Sequence, residues 1–113
     1  APTEIYTLSL HDALPILRQV DRLARYGGEE FVVVAPGVDV AGGLEMAERL
    51  RRAVAETPFA GAGPVTASFG VAGYRGQERP EIMLKRADEA LYRAKAGGRN
   101  RAECETPPQP QAR

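Results

Sequence analysis

The sequence predicts an α+β fold with a mostly antiparallel sheet, and three observations carry that expectation. Gly27-Gly28 lies between two apolar runs, the pattern of a β-hairpin turn, because glycine accepts positive φ at little cost. Residues 40–54 and 84–94 each repeat apolar side chains at helical spacing. Residues 65–74 alternate, as a strand with one buried face does.

In chain order, Leu17 to Asp21 reads as the end of a helix. Leu23–Tyr26 and Phe31–Ala35 are the two arms of the hairpin. Phe31-Val32-Val33-Val34-Ala35 is continuously apolar, which predicts a strand buried on both faces, and Pro36-Gly37 stops it. Asp39 is placed to cap the next helix. Its stripe is Val40, Leu44, Ala47, Leu50 and Val54, with Arg49, Arg51 and Arg52 around it and Pro58 at its end. After the 61–64 loop, Val65, Ala67, Phe69 and Val71 share one strand face and Thr66, Ser68 and Gly70 the other. Pro80 suits a first helical turn. Leu84, Ala87, Leu91 and Ala94, with Met83 and Ala90 beside them, make the second helical stripe, which Gly97-Gly98 closes. Arg101 to Glu105 is a short edge strand. The remaining residues, 106–113, contain three prolines and read as a disordered tail. Tyr26, Tyr92, the methionines and the other aromatic residues are expected to pack in the core.

Residues 1–16 do not fit this pattern. Glu4–Leu10 has strand propensity, but the run YTLSLHDALPI shows no continuity with the domain downstream of it and reads as a sequence artefact. It is set aside from the fold, and His11 is given no role. The expected organisation is therefore 1–16 extraneous, 17–105 one domain, and 106–113 tail.

The 113 residues suffice for one small domain, and 43% hydrophobic with 27% charged residues is ordinary for a globular chain. Fifteen basic and fifteen acidic residues cancel, so bulk charge gives no reason to expect binding to nucleic acid or to an anionic membrane. The single cysteine, Cys104, excludes an internal disulfide and a multi-cysteine zinc site and fits a reducing cytoplasm. No apolar run approaches the ~18 residues a membrane span needs. No basic segment followed by an apolar one marks a secretory signal.

Arg25-Tyr26-Gly27-Gly28-Glu29-Glu30-Phe31 resembles the signature of GGDEF domains in its GGEEF form, set on a hairpin with an apolar strand behind it. Three further stretches fall in register with that family. Arg18-Gln-Val-Asp21 stands where the family carries its RxxD motif, Thr66-Ala-Ser68-Phe-Gly70-Val71 resembles its later strand, and Lys85 to Asn100 resembles its last helix. Together they cover residues 17–103 or so. The resemblance implies a partial nucleotidyl-cyclase-like domain of ferredoxin-like palm type, and a bacterial diguanylate cyclase activity. In that reaction the 3′-hydroxyl of one GTP attacks the α-phosphate of a second, pyrophosphate leaves, and cyclic di-GMP results.

Phosphoryl transfer is mostly positioning and charge neutralisation, which accounts for the residue types. Gly27 and Gly28 leave room for a nucleotide to approach the backbone. Glu29 is a hard oxygen ligand suited to Mg²⁺ or Mn²⁺, and the resemblance makes it the metal ligand and an aid to deprotonating the 3′-hydroxyl, with Glu30 in support. Without the resemblance, the two would read as solvated turn carboxylates. Lys95 and Arg99, four apart on or just past the final helix turn, share one face and by resemblance grip the terminal phosphate of GTP; cations complementing a helix C-terminus are the plainer alternative. Arg18 and Asp21 by resemblance bind cyclic di-GMP as an inhibitory product, Arg18 on a phosphate or guanine edge and Asp21 on guanine N–H groups, with Arg49 as a second arginine. The plainer alternative is a surface ion pair.

The family domain extends further at its N-terminal end. Its first, central strand, which carries another metal-binding Asp, and its guanine-reading residues have no counterpart in this sequence. Without that strand, the 31–35 and 65–74 strands would present unpaired edges, and residues 4–10 have the propensity to fill the gap. The isolated chain is expected to be marginally stable and of doubtful activity alone. Two other readings stand beside the enzyme: a non-catalytic cyclic di-GMP receptor using Arg18 and Asp21, and an interaction module with no ligand. Catalysis would need a homodimer, since each domain holds one GTP. Sensory domains usually precede such modules.

Overall fold

The structure is a computed structural model, and it describes residues 16–25, 30–56 and 65–105. The 4–10 run, the Gly27-Gly28 turn with Tyr26 and Glu29, Pro58, the 61–64 loop and the 106–113 tail lie outside the described residues. The element order is β1 (Arg22–Arg25), β2 (Phe31–Val34), α1 (Val40–Glu56), β3 (Phe69–Val71), α2 (Pro80–Ala96) and β4 (Ala102–Cys104).

β1 and β2 form the expected antiparallel hairpin, with Arg22 opposite Val34 and Arg25 opposite Phe31. The edge strand foreseen at 101–105 is β4, and it pairs with β3 in parallel, Phe69 opposite Ala102 and Val71 opposite Cys104. Parallel neighbours need a long crossover, and α2 is that crossover. Among the described residues these are two separate two-stranded ladders, β1-β2 and β3-β4.

The core is the β3-β4 ladder with a helix on each side. Both helices pack on β3 and β4, and they do not pack on each other. Strand alternation assigns the faces. Gly70 lies against α2: a Cβ built there would collide with the Ala87 carbonyl oxygen and the Leu91 amide nitrogen. Only glycine permits so close an approach, and the fully buried Ala90 and Ala94 keep the helix surface low beside it. Val71, on the opposite face, lies against Gly43 of α1. From α1, the stripe residues Ala47, Leu50 and Val54 are buried.

The helix ends follow the expected chemistry. Asp39 caps α1, its Oδ1 accepting from the Gly42 amide at 2.8 Å. Pro80 opens α2, and Gly97 and Gly98 close it. The Gly98 amide reaches the Lys95 carbonyl at 3.4 Å and the Arg99 amide reaches that of Ala94 at 2.9 Å. With Gly98 at φ +119°, this is a Schellman closure.

Four expectations are corrected. A 3₁₀ turn ends at Ile16, one residue ahead of the expected helix end, and Leu17 to Asp21 runs on as a bend and turn. The Arg18 amide donates to Asp21 Oδ2 at 2.8 Å while the Asp21 amide donates to the Arg18 carbonyl at 3.0 Å, so the aspartate closes the turn locally and competes with a helix. β3 is only Phe69–Val71, shorter than the 65–74 alternation, because its partner β4 is equally short. β2 is not buried on both faces: Phe31 to Val33 are half-buried and Val34 is exposed, since β1 is its only partner among the described elements. Tyr92, expected in the core, is 74% exposed, and Tyr74 is also exposed. Phe31, Phe69, Met46 and Met83 are half-buried.

Candidate functional site

The first cluster joins the hairpin to α2. Glu30, just before β2, and Lys95, in the last turn of α2, face each other with Nζ 3.9 Å from Oε1. Their side chains are 43% and 39% exposed, so the pair is loose and solvated, worth about 0–1 kcal/mol. With Asp88, Leu91 and Tyr92 they line a shallow pocket of about 250 Å³. That is below the ~300–1,000 Å³ of sites enclosing a whole drug-sized ligand. Asp88, Leu91 and Tyr92 were missed as lining residues. Helical spacing from Lys95 could have found them, since 88, 91, 92 and 95 are one to two turns apart on a single face.

Among the described lining residues, two carboxylates and one ammonium leave a net negative charge, which would repel a phosphate unless a cation joined it. Glu30 and Asp88 are hard oxygen donors of the kind Mg²⁺ or Mn²⁺ takes. Among the described residues they reach no group of three metal-binding side chains. Glu29, the foreseen metal ligand, lies outside the described residues with Gly27 and Gly28. The donor set therefore fits such a cation in kind, with two of its carboxylates in view.

Arg99 lies just past the final turn of α2 rather than on its face. α2 ends at Ala96, and Arg99 sits beyond the glycines with φ +61°. Its position is set by the loop backbone rather than by helical periodicity.

The second cluster is Arg18 with Asp21. Arg18 Nη2 is 2.7 Å from Asp21 Oδ1 and also 2.7 Å from the Pro36 carbonyl, which ties the turn to the end of β2. The Asp21 side chain is 0% exposed, whereas that of Arg18 is 45% exposed. The Arg18 guanidinium, then its backbone N–H, holds the Asp21 carboxyl below the usual carboxylate range. In this arrangement Arg18 occupies the acceptor that was expected to meet guanine N–H groups. Arg49 is exposed on α1 and has no ion pair among the described residues.

A third cluster was not foreseen. Arg86 of α2 bonds Glu78 (Nη1–Oε2, 2.6 Å), Glu105 (Nε–Oε2, 2.8 Å) and the Gly73 carbonyl (2.6 Å), and Arg75 adds a bond to Glu105 at 3.2 Å. The Arg86 hydrogen bond, then the Arg75 amide, lowers Glu78 to about 2. Burial pushes Glu105 up, but Arg86 and Arg75 outweigh it and hold it low. The network locks the exits of β3 and β4 to α2.

A small α+β core of this kind, joined through one α2 pocket to a hairpin, defines a class when set beside known proteins. The family model described as "Diguanylate cyclase, GGDEF domain" matches residues 11–101, and the chain belongs to that family. The match begins ahead of residue 17, where the domain was expected to start. The chain is 48% identical over 90 residues to the diguanylate cyclase DgcP of Pseudomonas aeruginosa, an overlap of 77% of this chain and 13% of that protein. It is also 48% identical over 90 residues to the response regulator PleD of Caulobacter vibrioides, an overlap of 74% of this chain and 20% of that protein. The chain thus spans 13% and 20% of the length of these relatives. Among solved structures, the active GGEEF domain of a diguanylate cyclase from Vibrio cholerae has a TM-score of 0.79 at 26% identity, covering 93% of this chain and 69% of that one. The GGDEF domain of DgcB from Caulobacter crescentus, in complex with c-di-GMP, has a TM-score of 0.80 at 28% identity, covering 91% and 62%.

Proposed function

We propose that this chain is the GGDEF portion of a diguanylate cyclase, which condenses two GTP molecules into cyclic di-GMP and releases pyrophosphate in bacterial second-messenger signalling. The observation that carries the reading is the pocket that unites Glu30, from the signature, with Lys95 of α2. Gly27 and Gly28 admit the nucleotide to the hairpin backbone. Lys95 and Arg99 hold its terminal phosphate. Glu29 orients and helps deprotonate the attacking 3′-hydroxyl, with Glu30 beside it. Glu29 would hold Mg²⁺ or Mn²⁺, with Glu30 in support, and the cation would offset the charge of the triphosphate. Each domain presents one GTP, so the reaction takes place in a homodimer. The domain proper occupies 17–105, and its setting is cytoplasmic. Among the described residues, no helix is long and apolar enough to cross a membrane.

A product site at Arg18, Asp21 and Arg49 is the second part of this reading, and the exposure of both arginines supports it. Asp21 would exchange Arg18 for guanine N–H groups when cyclic di-GMP binds. The alternative is a receptor that binds cyclic di-GMP there without catalysis.

Incubation of the purified chain with GTP and Mg²⁺, with cyclic di-GMP measured, tests the proposal. Product that disappears in Glu29→Ala would show that this chain carries a complete site, whereas a folded chain that yields none is what a truncated cyclase domain gives. A folded chain that yields no product yet binds cyclic di-GMP, with binding lost in Arg18→Ala, would favour the receptor instead.

A further inference from the structure

Beyond α2 the chain takes a course that capping alone does not explain. A Schellman closure needs one left-handed residue, and Gly98 supplies it. Here Arg99 and Asn100 follow at φ +61° and +48°, so three consecutive residues are left-handed and two of them carry a Cβ. Asn tolerates that region, whereas Arg is unfavourable there. Such strain persists only where surrounding structure holds it.

The holding groups come from two other parts of the fold and from the neighbouring Arg101. Asn100 N–H donates to Ser68 Oγ, just ahead of β3, at 3.1 Å. Arg51 of α1 donates from Nη1 to Asn100 Oδ1 at 3.0 Å. Arg51 is itself fixed by Glu48, with Nε–Oε1 and Nη2–Oε2 both 3.0 Å. Arg101 folds back over the glycines: a Cβ on Gly97 would fall 2.8 Å from its Nη1. Its Nε donates to the Arg99 carbonyl at 3.2 Å.

Arg99 therefore has its amide bound to the Ala94 carbonyl and its own carbonyl bound by Arg101, while its side chain makes no ion pair among the described residues. A fixed backbone carrying a free guanidinium is how a cation is presented to an anion.

We infer that Asn100 is a positioning residue for Arg99, anchored by Arg51 and Ser68, and that it fixes the left-handed backbone from which Arg99 serves the phosphate end of the nucleotide. The inference rests on the reading of Lys95 and Arg99 as phosphate contacts. Orientation is worth affinity only for the group being oriented, so the effect belongs to ligands that carry the terminal phosphate.

The test is equilibrium binding of GTP and of GMP to the chain and its variants, with melting temperatures measured alongside. The chain binds GTP more tightly than GMP, and Arg99→Ala removes part of that difference. Asn100→Ala weakens GTP binding about tenfold, the effect of one misdirected charged contact, and leaves GMP binding unchanged. Asn100→Asp, which keeps both the acceptor and the tolerance for φ +48°, restores GTP binding. In an Arg99→Ala background, Asn100→Ala has no further effect. Ser68→Ala, a milder change, gives a smaller loss confined to GTP and carries the test should Asn100→Ala fail to fold. An unchanged GTP affinity in Asn100→Ala, or an equal loss in the Arg99→Ala background, overturns the inference while leaving the phosphate reading intact. Equal binding of GTP and GMP by the unmodified chain overturns both.

Discussion

Single residues do unequal work in this molecule, and Gly70 is the clearest case. Its missing Cβ is what lets β3 meet the backbone of α2 at Ala87 and Leu91. Gly70→Ala would press a methyl against main-chain atoms that cannot rotate away. The expected cost is about 3 kcal/mol, the upper end for overpacking, read as a lower urea midpoint with an unchanged slope. Asp21 shows the opposite relation between motif and structure. The RxxD pattern marked it as a ligand contact, yet in the fold it closes a turn and is covered by its own partner arginine. The sequence shows that the two residues are present and three apart. It does not show that the carboxylate is already satisfied.

At the scale of elements, the helices and their ends were legible because capping and periodicity are local. Asp39, Pro80 and Gly97-Gly98 fall where short-range chemistry places them. The strands were less so, because a strand exists only where a partner pairs with it, and β3 ends where β4 ends. The link between these elements and α2 is the Arg86 network, which carries a pH prediction. Glu78 is lowered from 4.5 to about 2 in the fold. A carboxylate whose folded pKa is depressed stabilises the fold above its unfolded pKa and loses that contribution as pH falls. Stability should therefore hold from neutrality to about pH 4.5 and decline between there and about pH 2. Thermal melts across that range should show it, and the Glu78→Gln variant should show a flatter decline.

At the scale of the whole molecule, the described strands fall into two ladders. Among the described elements the hairpin packs with itself, while β3, β4 and both helices form the core. Val34 of β2 is 48% exposed. An exposed apolar side chain on a strand favours association with another chain, and a lysine placed there opposes it. The chain should lose solubility as its concentration rises, and Val34→Lys should raise the soluble fraction without lowering the melting temperature. Light scattering against concentration would check this, and equal scattering by both proteins would count against it.

The sequence by itself determined the family, the α+β class, both helices with their caps, the hairpin and the edge strand. Each of these rests on neighbours within a few residues or on a contiguous motif. Only the tertiary structure decided which residues meet. It brought Glu30 to Lys95 with Asp88 and Tyr92 beside them, left Tyr92 in solvent, buried Asp21 under Arg18, and assembled Arg86 with Glu78 and Glu105. It also placed Arg99 on a left-handed loop held from α1 through Asn100. Arg18–Asp21 and Arg86–Glu78 are near neighbours in the chain, but the other contacts join well-separated segments, and their geometry is set by how closely a helix can approach a strand, which no local pattern encodes.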